Sequence, residues 1–115
     1  MDAAGLLAEY RAVRLLLLKH GHRDEEEVWE KEERIGEFIA HLEKYLLRHE
    51  WHVKEKGEKS RIYVNKGIPN IYLKVRYSIT YPDTRTFYQV ELRLERRRFL
   101  FNKVLAEGEM VFSRI

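Results

Sequence analysis

Lys74, Arg76 and Arg93 each alternate with apolar neighbours, and Arg96-Arg97-Arg98 begins three residues after the last of them. Cations at that spacing line one side of a strand. Together with Arg61 and the rings of Tyr63 and Tyr72 they suit a nucleic acid, since cations follow phosphates while aromatic rings stack on bases of any sequence. Arg61, Tyr63, Tyr72, Lys74, Arg76, Arg93, Arg97 and Arg98 are therefore the expected binding residues, with Phe87 as a further ring. The expected partner is single-stranded DNA or RNA, held by backbone and base faces rather than read by sequence.

Two other chemistries use some of the same residues. Pro82-Asp83 followed by Glu91-Leu92-Arg93 resembles the PD…(D/E)xK pattern of metal-dependent nucleases, with Arg in place of Lys. A shared metal requires both carboxylates close together. With Asp83 at a hairpin tip and Glu91 five residues down a strand, a rise of ~3.3 Å per residue separates them by about 15 Å. Among the histidines, His49 and His52 could join Glu50 around a metal, but helix ends and ordinary surfaces account for His20, His22, His41, His49 and His52 at lower cost. No Ser/His/Asp set, Gly-rich phosphate loop, HExxH or dinucleotide fingerprint occurs. The expectation is a binding protein without catalysis, cofactor or metal.

The elements that must position these residues follow from periodicity. From Ile71 to Tyr81 the odd positions are apolar or aromatic and the even ones polar; Tyr88, Val90, Leu92 and Leu94 alternate in the same way. Pro82-Asp83-Thr84-Arg85 supplies the turn between them. Pairing Tyr81 with Thr86 then sets Tyr77 against Val90, Val75 against Leu92 and Leu73 against Leu94. On the other face Arg76 meets Glu91 and Lys74 meets Arg93, a like-charge pair that destabilises a sheet unless an anion sits there. Trp51 to Val64 reads as a hairpin turning at Lys56-Gly57, with Ile62 and Val64 inward, and Asn65-Lys66-Gly67 with Pro69 makes the next turn. Phe99 to Leu105 is expected as strand, with helix the competing assignment. Ala106-Glu107-Gly108-Glu109 reads as a turn before a last strand from Met110 to Ile115.

Before residue 50 the period is helical. Leu6, Tyr10, Val13 and Leu17 form one stripe of a helix from Ala3 to His20, with Gly21 its expected cap. Asp24 and Glu27 resemble a capping box that opens a second helix, striped by Val28, Ile35, Ile39, Leu42 and Leu46 and ending near His49. Such a helix is close to ~37 Å long. Its glutamates pair at i,i+4 as Glu27–Lys31 and Glu30–Arg34, worth only ~0.2–0.5 kcal/mol each.

Charge is divided along the chain: residues 1–50 carry 8 Lys/Arg against 12 Asp/Glu, and residues 51–115 carry 14 against 7. The strand-rich part therefore carries the positive surplus, which recruits polyanions. At 115 residues the chain makes one domain with one core. Its 36% charged residues exceed the ordinary quarter, and with one Gln and three Asn the composition is thermophile-like. Cysteine is absent, which removes disulfides and thiolate metal sites. The longest aliphatic run, Leu15 to Leu18, falls far short of the ~20 residues of a membrane span, so a cytoplasmic location is expected. The fold class is α+β: two N-terminal helices packed on one face of a four- to six-stranded antiparallel β-meander. A homodimer joined through the helices is the competing function, decided by whether Tyr10, Trp29 and Phe38 point inward.

Overall fold

The computed structural model describes residues 2–21, 35–80 and 87–113. Among them two helices, α1 (Ala3–Gly21) and α2 (Ile35–Arg48), precede five strands, β1 (Trp51–Lys56), β2 (Ser60–Asn65), β3 (Ile68–Thr80), β4 (Phe87–Arg96) and β5 (Lys103–Ser113). Each strand pairs antiparallel with its neighbour in the chain, giving the spatial order β1-β2-β3-β4-β5. The α+β architecture is the one the periodicities imply.

Asp2 starts α1: its carboxylate accepts from the Gly5 amide at 2.8 Å and its carbonyl from the Leu6 amide at 3.0 Å, satisfying donors that a helix start leaves open. Leu6, Tyr10, Val13 and Leu17 are buried against the sheet, and the Tyr10 hydroxyl donates to the Leu92 carbonyl at 2.9 Å. Gly21 is the last helical residue, and it is glycine for a different reason than a left-handed cap. No described glycine has positive φ, but a Cβ at this position would run into the Phe112 ring.

Helix α2 buries Ile35, Phe38, Ile39, Leu42 and Leu46. Phe38 stacks on Tyr88 with ring centroids 4.8 Å apart and planes 4° from parallel, so both Phe38 and Tyr10 are core residues. The Asp24–Glu27 cap, Val28, Trp29, the Glu27–Lys31 and Glu30–Arg34 pairs and His22 lie outside the described residues. Glu50, at φ 69°, makes the left-handed reversal from α2 into β1.

The β3–β4 ladder has the register read from the alternation: Tyr77 faces Val90, Val75 faces Leu92, Leu73 faces Leu94, Arg76 faces Glu91 and Lys74 faces Arg93. The Pro82–Arg85 turn and the Tyr81–Thr86 pair are outside the described residues. Three other expectations are corrected. Residues 106–109 are the middle of β5 rather than a turn, with Glu107 opposite Arg93 and Gly108 opposite Leu92. A Cβ at Gly108 would lie 3.1 Å from the Tyr10 hydroxyl and 2.6 Å from an Arg14 nitrogen, so glycine here admits α1 to the sheet. Phe99 to Phe101 are neither strand nor helix but part of the connection from β4 to β5. Finally, β2 faces the opposite way: Tyr63 pairs with Leu73 and Arg61 with Val75, which puts both under the helices. Irregularities at Val53/Glu55 and Tyr63/Asn65 break the simple alternation there. No described helix is long and apolar enough to cross a membrane.

Candidate polyanion interface

The expected binding residues separate into three environments. Arg61 and Tyr63 are structural. The Tyr63 hydroxyl donates to Glu43 of α2 at 3.0 Å, and the Arg61 guanidinium lies 3.4 Å from the same carboxylate oxygen while donating to the Gly57 and Ser60 carbonyls at 2.7 and 2.8 Å. Tyr63 is fully buried and cannot meet a base. Burial pushes its hydroxyl, and that of neighbouring Tyr77, far above the ordinary phenol range. This cluster fastens α2 to the sheet, a correction to the expected role of both residues.

Lys74, Arg76 and Arg93 do lie on the open face, but that face is not basic. Lys74 meets Glu95 at 3.0 Å, Arg76 meets Glu91 at 3.8 Å, and Arg93 meets Glu95 at 3.5 Å and Glu107 at 3.2 Å. The repulsion expected between Lys74 and Arg93 is cancelled from within the protein by Glu95, which is only 3% exposed and also accepts from Asn102 at 3.0 Å. Burial alone would raise the Glu95 carboxyl, but Lys74, Asn102 and Arg93 outweigh it and hold the group below its ordinary value. The cause of the misreading is β5, which brings Glu107 opposite Arg93 and Glu109 opposite Glu91. A shallow depression of about 490 Å³ on this face is lined by both signs, Lys74, Arg76 and Arg93 alongside Glu91, Glu107 and Glu109. Tyr72 is half-buried, with the Lys54 ammonium 4.5 Å above its ring and 3.3 Å from its hydroxyl; Phe87 is half-buried as well.

Arg97 and Arg98 are exposed, and neither has an ion-pair partner among the described residues. They leave β4 where the Arg97 amide donates to the Asn70 carbonyl at 2.8 Å. Phe99, Leu100 and Phe101 come next, 99, 83 and 71% exposed. The register joins other cations to this end of the sheet. Trp51, just after Arg48 and His49, faces Asn65; Lys66 lies in the following turn; Ile71 faces Arg96, which faces Lys103. With strands ~4.8 Å apart, the row from Arg48 through Lys66 and Arg97 to Lys103 crosses about 20 Å, with Glu50 the carboxylate beside Arg48.

Sequence reasoning included Arg97 and Arg98 and missed Lys66, Lys103 and the exposure of Phe99 and Phe101. The usable signal was an arginine triplet running straight into an apolar run without period. Among the described residues no three His, Asp or Glu side chains gather as metal ligands, and His49, Glu50 and His52 do not form such a group. What the described residues offer at this end is anion contacts and apolar contacts. Comparison with family models, curated proteins and solved structures finds no match to this chain.

Proposed function

We propose that the protein binds single-stranded nucleic acid, without catalysis, across the end of its sheet rather than over the sheet face. The observation that carries this reading is the pairing of two unengaged guanidinium groups, Arg97 and Arg98, with two exposed rings, Phe99 and Phe101, on one short connection. A linear row of cations suits a single phosphate backbone, and adjacent rings suit unstacked bases. Lys54 and Tyr72 extend the contact from that end onto the open face, whereas Lys74, Arg76 and Arg93 have their charge answered by glutamates.

The test is fluorescence anisotropy with labelled single- and double-stranded oligonucleotides across a salt series. Log affinity should fall linearly with log salt, and Arg97→Ala with Arg98→Ala should flatten the slope by about 1.4, at ~0.7 per phosphate on a single strand. Phe99→Ala and Phe101→Ala should each cost ~1–3 kcal/mol of binding. Arg76→Ala should change little. No oligonucleotide binding at low salt removes the proposal, and binding to anionic vesicles in its place reassigns the loop to a membrane surface.

A further inference from the structure

A second group of cations lies on the helical side and meets the end of the sheet at Arg48 and His49. His20, at the end of α1, stacks on Tyr45 of α2 with ring centroids 3.7 Å apart and planes 8° from parallel. Lys44 and Arg48 stand 5.1 and 5.5 Å from the same ring centroid, and His41 meets the ring edge-on at 5.5 Å. Lys19 and His49 complete the group. Unlike Lys74, Arg76 and Arg93, none of Lys19, Lys44, Arg48 and His49 has an ion-pair partner among the described residues. Partial burial, then Lys19, Arg48, Lys44 and His49, lower the pKa of His20.

Two members of this group also border a cavity. An open cleft of about 360 Å³ runs beside α1, lined by Ala12, Val13, Leu15 and Leu16, with Glu9 toward one end and Lys19 and His49 toward the other. Glu9 and Lys19 are separated by ~15 Å along the helix at 1.5 Å per residue. Leu15 remains 66% exposed, an apolar cost that a ligand stem would relieve. The cleft is therefore apolar in the middle and has charge of opposite sign at its two ends.

We propose that this cleft binds a small anionic amphiphile, its alkyl or aryl stem against Ala12, Leu15 and Leu16 and its carboxylate or phosphate at Lys19 and His49. Mutual repulsion among Lys19, Lys44, Arg48, His49 and protonated His20 falls when an anion enters, while Glu9 disfavours the reversed orientation. Arg48 is common to this group and to the row at the end of the sheet, but the cleft-lining residues include none of Arg97, Arg98, Phe99 or Phe101, so replacing those four tests oligonucleotide binding without altering the cleft.

The test titrates the full chain by calorimetry with octanoate, octyl phosphate, octanol and inorganic phosphate. Octanoate and octyl phosphate should bind, with octanol and inorganic phosphate each weaker by about tenfold or more. Lys19→Gln with His49→Gln should erase the preference over octanol. Ala12→Trp, on an exposed position, should block all binding while the ligand-free melting temperature stays near wild type. Binding should tighten as pH falls through the His20 titration, and octanoate should move the His20 NMR titration to higher pH, with Lys19, His41, Lys44, Tyr45, Arg48 and His49 as its charged or titratable surroundings. Octyl phosphate binding without binding to phosphatidylglycerol vesicles identifies a free amphiphile; binding to both identifies a lipid headgroup. Equal affinity for octanol, or no binding at all, overturns the proposal. So does binding that appears only after Asp24 to Glu27 and Trp29 are replaced, because the occupant is then the chain's own segment.

Discussion

The open face of the sheet and the two places where cations go unanswered, the β4–β5 connection and the helices around Tyr45, carry the same residue types to opposite effect. On the face, Lys74, Arg76 and Arg93 are matched by Glu91, Glu95 and Glu107. At the β4–β5 connection and around Tyr45, arginine and lysine sit without an ion-pair partner among the described residues. A regional charge surplus therefore does not locate a site; the arrangement of counter-ions does. The acidic surplus of the first fifty residues has the same character. It resides in residues 22–34, with 7 Asp/Glu against 3 Lys/Arg, and the remaining residues of that stretch balance at 5 against 5.

The largest effect should come from removing the counter-ion at the centre of the paired region. Glu95→Gln should cost about 2 kcal/mol in urea unfolding, less than the roughly 3–5 of a fully buried pair because Lys74 and Arg93 are partly in solvent. The folded Glu95 carboxyl titrates below its unfolded value, so its contribution is present above the ordinary carboxylate range and is lost as pH falls through the folded value. The gap between wild type and Glu95→Gln should accordingly close on acidification; a gap constant with pH would show that the charge is not what matters. Tyr63→Phe should cost about 1 kcal/mol by removing one hydrogen bond to Glu43. The Tyr63 hydroxyl titrates above its unfolded value, so its contribution is present below about pH 10 and lost as pH rises toward the folded value, and the variant should show a shallower alkaline loss. Arg97→Ala with Arg98→Ala should leave stability within about 0.5 kcal/mol while weakening oligonucleotide binding, which separates function from folding. Smallest of all, Lys44→Gln should stabilise by a few tenths of a kcal/mol at low salt and by nothing in high salt, where its repulsion with neighbouring cations is screened.

What was legible in the sequence follows from how far each signal reaches. The β3–β4 register emerged residue by residue because a long period-two pattern on both strands leaves one pairing that puts apolar on apolar. Arg61-Ile62-Tyr63-Val64 has apolar residues at both parities, and nothing local says that Tyr63 is the buried one. Glu107-Gly108-Glu109 resembles a turn because Gly108 answers to Tyr10 and Arg14, far away in the chain. Phe99, Leu100 and Phe101 read as structure because residue type reports apolarity and not exposure. The candidate site was thus visible as residues, with Arg97 and Arg98 among them, but not as a place.

A meander needs only neighbours, and each strand of this sheet can be added as soon as the previous one exists. The helices are the exception, since Phe38 of α2 reaches Tyr88 and Phe112, and on α1 Tyr10 reaches Leu92 and Arg14 reaches Glu109. Chains are made from the N-terminus forward. Helix α1 is therefore made before the strands that cover it, and packing of Leu6, Val13 and Leu17 is complete only when β5 has emerged. During synthesis, protection of that stripe depends on how soon β5 follows rather than on the strength of α1.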